Sequence, residues 1–113
     1  MKYIIAVIQP DCLEDVLDEL TRREIYLVTV TRVAGRGRQR GVQEVYRGHM
    51  EAGSLLKKVK LEIAVNEEFV KPTIEAITKT ARTGNVGDGK IFVINLEECI
   101  RIRTGETGGV AIG

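Results

Sequence analysis

Val59-Lys60-Leu61-Glu62-Ile63-Ala64-Val65 alternates cleanly, with Val59, Leu61, Ile63 and Val65 on one side and Lys60 and Glu62 on the other. A period of two specifies a strand with one buried face, because a slip of one residue would turn every apolar side chain to water. Asn66 follows at once, placed to cap a helix carrying Val70, Ile74, Ile77 and Ala81, with Pro72 early enough to be tolerated. Ile91-Phe92-Val93-Ile94 then reads as another strand. The same order occurs earlier in the chain. Tyr3 to Ile8 is a short apolar run rich in β-branched residues, closed by Pro10. Asp11 can cap a helix on which Leu13, Val16, Leu17 and Leu20 recur, and Tyr26 to Val33 forms a second strand. A last strand or edge segment is expected at Ile100-Arg101-Ile102-Arg103, before a Gly/Thr-rich tail at 104–113 that only contacts would order.

Strand–helix–strand, a long loop, then strand–helix–strand is the pattern of an α+β, ferredoxin-like double βαβ sandwich, with both helices on one face of an antiparallel sheet. At 113 residues, one domain spanning 1–113 is expected. The strands are too apolar on both sides for the second sheet face to meet water, so a sheet-to-sheet oligomer is the economical solution.

Composition removes several functional classes. Seventeen Lys and Arg against sixteen Asp and Glu leave a net charge of +1, which argues against bulk electrostatic binding to nucleic acid or membrane. No apolar run approaches a membrane span, and the first residues lack the basic-then-apolar pattern of a signal peptide. Cys12 and Cys99 lack metal-ligand spacing and read as reduced thiols of a cytoplasmic protein. With His49 as the single histidine, one chain cannot assemble a His/Cys metal cluster or a histidine relay.

Two segments remain for chemistry. In Thr83-Gly84-Asn85-Val86-Gly87-Asp88-Gly89-Lys90, three glycines permit close backbone approach, and Lys90, with Arg101 and Arg103 beyond it, offers cations suited to phosphate. The spacing Gly84, four residues, Gly89-Lys90 mimics a nucleotide P-loop. However, Ile91 stands where a magnesium-binding hydroxyl belongs, and helix–loop–strand is the reverse order. The second segment is the long polar loop, where Arg36, Arg38, Arg40 and Arg47 against Glu44 give a local charge of +3. Its plain reading is a solvated hairpin; its sharper reading is a recognition loop under ligand control.

Across nearly its whole length the chain resembles the PII nitrogen-regulatory signal proteins. Ala81-Arg82-Thr83-Gly84 through Gly87-Asp88-Gly89-Lys90-Ile91-Phe92 is close to that family's C-terminal signature, and Ile100 to Glu106 matches the segment after it. Gly35, Gly37-Arg38-Gln39, Gly41, Glu44 and Tyr46-Arg47-Gly48 fall at the positions of the family's T-loop, here residues 36–55. The resemblance implies a homotrimer with nucleotide clefts between subunits, where ATP and ADP compete. It implies that Gly37, Arg38, Gly87, Asp88, Gly89, Lys90, Arg101 and Arg103 hold the nucleotide's phosphate end, with Thr29 and the Ala64 backbone near the adenine. Gln39 would help bind Mg2+ beside the ATP phosphates. Lys58 would pair with 2-oxoglutarate, with the backbone at Gly41 and Gly87 nearby. Tyr46 and Arg47 would meet the protein target, an ammonium channel or an enzyme, so that any membrane association comes through a partner.

The match has departures. Glu51 occupies the position of the tyrosine that many bacterial relatives uridylylate, and His49 the position of a serine phosphorylated in others, so regulation by ligands alone is expected. Gln9 stands in for a residue often basic in relatives, and Arg36 for a common aromatic, which bears on the oxo-acid site. Two rival readings remain. An RNA-binding ferredoxin-like module would use stacking aromatics, and Tyr3, Tyr26, Tyr46, Phe69 and Phe92 suggest no pair on one sheet face. A dedicated ATP-hydrolysing enzyme would need a nucleophile–base pairing, whereas Asp88 and Glu106 have easier roles capping loops.

Overall fold

The computed structural model describes residues 1–37 and 55–113. Arg38, Gln39, Gly41, Tyr46, Arg47, His49 and Glu51 lie outside the described residues. Strand β1 (Lys2–Ile8) leads through a 3-10 turn (Pro10–Cys12) into helix α1 (Leu13–Arg22) and strand β2 (Thr29–Gly35). After the loop come β3 (Leu56–Val65), α2 (Glu67–Ala81), β4 (Gly89–Asn95) and a short terminal helix α3 (Gly109–Ile112).

The strands lie in the order β2-β3-β1-β4, every neighbouring pair antiparallel. Each βαβ half is therefore split by a strand of the other, the ferredoxin-like arrangement that the alternation predicts. The register Ile4↔Ile63, Ala6↔Leu61 and Ile8↔Val59 brings the apolar faces of β1 and β3 together. Leu13, Val16 and Leu20 of α1 and Ala76, Ile77 and Ala81 of α2 close the core over them. Glu19, 5% exposed, ties the helix layer: its carboxylate accepts from Arg22 Nη1 at 2.6 Å and Arg23 Nε at 3.0 Å, with Lys79 Nζ at 3.5 Å. Those hydrogen bonds, Arg23's first, hold the Glu19 carboxyl below the usual carboxylate range.

Several local expectations shift. Strand β2 begins at Thr29 rather than Tyr26; Tyr26 and Leu27 are exposed, and the ladder to β3 runs from Thr29↔Glu62 to Gly35↔Leu56. Asp11 lies in the 3-10 turn, and Cys12 precedes α1 without a side-chain cap. Asn66 does stand at the start of α2, but its Nδ2 donates to the Gly109 carbonyl at 3.1 Å instead of capping. Ile100–Arg103 is not a sheet strand. It folds into a tight hairpin with an isolated bridge at Ile100↔Thr107, and Ile102 is almost fully exposed.

The second sheet face carries Tyr3, Ile5 and Val7, with Phe92 and Ile94 on β4 left 49% and 48% exposed. Tyr3 and Phe92 are diagonal neighbours there, since Tyr3 pairs with Ile94 and Ile5 with Phe92. Two aromatics thus share this face, contrary to the sequence expectation, because pairing register is invisible in composition. Glu62 lies between them and Lys60: it accepts from the Tyr3 hydroxyl and sits 3.7 Å from Lys60 Nζ. Among the described residues, no helix is long and apolar enough to cross a membrane.

Candidate ligand site

The glycine loop begins where α2 ends at Ala81, with the Arg82 N–H still donating to Thr78. The Asp88 carboxylate organises the turn, accepting from the backbone N–H of Thr83 at 2.7 Å, that of Gly84 at 2.9 Å and the Thr83 hydroxyl. These bonds lower the Asp88 pKa. With its carboxylate committed inward, any contribution of Asp88 to a phosphate falls to its main chain. Gly89 shows why glycine is needed: φ is +104°, and a Cβ would lie 1.8 Å from the Val7 carbonyl oxygen. Here β4 enters the sheet directly against β1. Lys90 pairs with Val7 and shares the open face with Phe92 and Ile94.

Lys58 brings three segments together. Its Nζ donates to Gln9 Oε1 at 3.0 Å and to the Gly87 carbonyl at 3.1 Å, from a strand that emerges from the long loop. Burial lowers its pKa, and Asp88 opposes that effect. Gln9, the departure that bears on the oxo-acid site, accepts directly from Lys58.

Arg101 lies elsewhere. Its Nη1 meets Glu106 Oε1 at 2.6 Å and its Nη2 donates to the Val110 carbonyl at 3.0 Å, and a Cβ placed on Gly113 would meet both Leu27 Cδ1 at 3.3 Å and Arg101 Nη2 at 3.9 Å. Arg103 is exposed in the hairpin turn. Thr29 pairs with Glu62 on the β2 edge. Ala64 helps line an apolar cleft with Tyr26, Leu27, Phe69 and Gly113.

Lys90 and Arg101 therefore occupy opposite ends and opposite edges of the sheet. Lys90 pairs with Val7, while β4 runs on to Asn95 opposite Lys2 before the chain turns towards Leu27. At ~3.4 Å per residue along strands and ~4.8 Å between them, the separation is on the order of 20 Å. One chain cannot close both ends on a single phosphate group.

An interleaved βαβ sandwich with a glycine-and-lysine loop at one end and an arginine hairpin at the other places the chain among the small ferredoxin-like α+β proteins. The family model for Nitrogen regulatory protein P-II matches residues 1–106. Nitrogen regulatory protein GlnK1 of Methanosarcina mazei is 53% identical, over 99% of this chain and 97% of that protein. Nitrogen regulatory protein P-II of Rhizobium etli is 49% identical and that of Haemophilus influenzae 51%, each over 99% of this chain and 100% of the relative. The chain belongs to the P-II family of nitrogen regulatory proteins.

Proposed function

We propose that the protein is a homotrimeric sensor that binds ATP or ADP between subunits, takes up 2-oxoglutarate with Mg-ATP, and signals to a nitrogen-metabolism target through the 36–55 loop. The observation that carries this reading is the division of the cations. Lys90 and the glycine loop stand at one end of the sheet and Arg101 at the other, so a cleft combining them needs a second copy. The exposed Phe92 and Ile94 supply an apolar face for that association. Thr29 and Ala64 would meet the base. Gly37, Arg38, Gly87, Gly89, Lys90 and Arg103 would meet the phosphates.

Mg2+ is a hard ion that takes oxygen ligands, and the Gln39 amide with phosphate and oxo-acid oxygens would supply them. Lys58 would exchange the Gln9 and Gly87 oxygens for a carboxylate, linking the loop base to the glycine loop. Ligands binding the two loop states with different affinity would then shift the loop population that a target recognises. Tyr46 and Arg47 would make that contact, with an ammonium channel or a cytoplasmic enzyme as the target. The protein acts by binding, with at most slow incidental ATP hydrolysis.

Calorimetry with Mg-ATP, then 2-oxoglutarate with and without ATP, tests the reading. Oxo-acid heat that appears only after Mg-ATP supports it; ATP binding without an oxo-acid response points to a paralogue sensing adenylates or another metabolite. Light scattering of the purified protein checks the trimer. Incubation with a uridylyltransferase and labelled UTP should leave this loop unlabelled, since Glu51 has no hydroxyl. The aromatic pair on the open face favours one alternative, RNA binding, which the net charge of +1 argues against. Salt-dependent RNA binding would overturn the expected absence of nucleic acid.

A further inference from the structure

We infer that Glu106 is a positioning residue that holds the Arg101 guanidinium ready for a nucleotide phosphate presented by a second copy of the chain. This rests on the reading of Arg101 as a phosphate ligand. Arg101 and Arg103 are two residues apart, yet their surroundings differ. Arg103 has no hydrogen-bond or ion-pair partner among the described residues and lies exposed in the turn. Arg101 is held from several sides: Glu106 Oε1 accepts from Nη1 and the Val110 carbonyl accepts from Nη2. Its own backbone is fixed by Arg101 N–H to Glu106 carbonyl at 2.9 Å and Gly105 N–H to Arg101 carbonyl at 2.7 Å.

The Glu106 carboxylate is itself aimed. The same Oε1 accepts from the Thr104 hydroxyl at 2.7 Å, and that hydroxyl oxygen accepts from the Glu106 N–H at 3.2 Å. The hairpin is anchored to the fold at two further points, Gly108 N–H to the Cys99 carbonyl at 2.9 Å and Asn66 Nδ2 to the Gly109 carbonyl at 3.1 Å. A guanidinium has five N–H donors, and Glu106 and Val110 engage one each, so three remain for phosphate oxygens. Prior ordering spares a long, rotamer-rich side chain the entropy it would otherwise lose on binding. Glu106 thus belongs to the nucleotide site without touching the nucleotide.

The test measures ATP and adenosine affinity by displacement of a fluorescent ATP analogue, with Arg101→Ala, Glu106→Ala, Glu106→Gln and Thr104→Val in the full chain. Glu106→Ala should weaken ATP by about fivefold to tenfold and leave adenosine unchanged, the loss expected when a charged contact must be ordered on binding. Glu106→Gln should stay within about twofold of wild type, because its amide oxygen still accepts from Nη1. Thr104→Val, which leaves the carboxylate in place, should give a smaller loss of the same kind and serves if Glu106→Ala does not fold. Equal or tighter ATP binding by Glu106→Ala would show a competing carboxylate and overturn the inference. So would a parallel fall in ATP and adenosine, the mark of mere structural damage. If Arg101→Ala weakens ATP but Glu106→Ala does not, the positioning role alone fails. If Arg101→Ala binds ATP like wild type, the phosphate role of Arg101 falls, and the inference with it.

Discussion

The glycine loop and the C-terminal hairpin both present cations, yet they are built on opposite plans. In the loop a carboxylate, Asp88, is spent on backbone N–H groups, and the neighbouring cation Lys58 rests on the neutral oxygens of Gln9 and Gly87. In the hairpin the carboxylate, Glu106, is spent on the cation itself. The Asp88 carboxylate thus shapes the backbone of its loop, whereas the Glu106 carboxylate fixes the direction of a guanidinium. On the proposed reading the glycine loop would switch and the hairpin would present a fixed group.

The harshest way to break this contrast is at Gly89. Gly89→Ala forces a side chain onto the Val7 carbonyl at a positive φ, and the register of β4 cannot absorb a contact of 1.8 Å. A loss of roughly 3 kcal/mol or more, or failure to fold, is expected in denaturant melts. Gly105→Ala in the hairpin, where no atom lies within 4 Å of the added Cβ, should meet only the cost of its positive φ, roughly 1 kcal/mol.

Lys58→Ala sharpens the switching side. It should abolish measurable 2-oxoglutarate binding, a loss of at least about tenfold, while ATP affinity stays near wild type. Unchanged oxo-acid binding in calorimetry would remove Lys58 from the site.

Asp88 supplies a pH test. Its folded pKa is depressed by the Thr83 and Gly84 bonds, so its stabilisation is complete above the unfolded carboxylate pKa. That stabilisation drains away as pH falls through the depressed folded value. Asp88→Asn should therefore lower Tm at pH 7 by a few degrees and flatten the acid limb of the Tm–pH curve. An unaltered limb would place the acid sensitivity elsewhere.

The smallest effect is expected from Glu19→Gln. Glu19 likewise has a depressed pKa, from Arg23 and Arg22, and its contribution is lost with falling pH in the same sense. Its place in the helix layer, away from both cation sites, predicts a modestly lower Tm with unchanged nucleotide affinity. Altered binding would mean that the helix layer couples to the sites.

Much of this arrangement was legible in the chain itself. Alternation in Val59–Val65 named the buried face of the central strand, and its partner β1 carries a run with the same parity at Ile4, Ala6 and Ile8. Gly84, Gly87 and Gly89 announced a loop needing positive φ, and all three have it. Such features are local: a pleat or a backbone angle is set by residues a few positions apart. What the tertiary structure alone decided is who meets whom. Ile100-Arg101-Ile102-Arg103 has the period of a strand, but among the described residues no strand pairs with it; the segment closes on itself, and Arg101 turns to Glu106 and the tail. Asn66 had the chemistry of a helix cap and went to Gly109; Gln9, which the resemblance placed at the oxo-acid site, accepts from Lys58. Periodicity tells a side chain which way to face, but only the closing of long-range contacts selects which group it finds there.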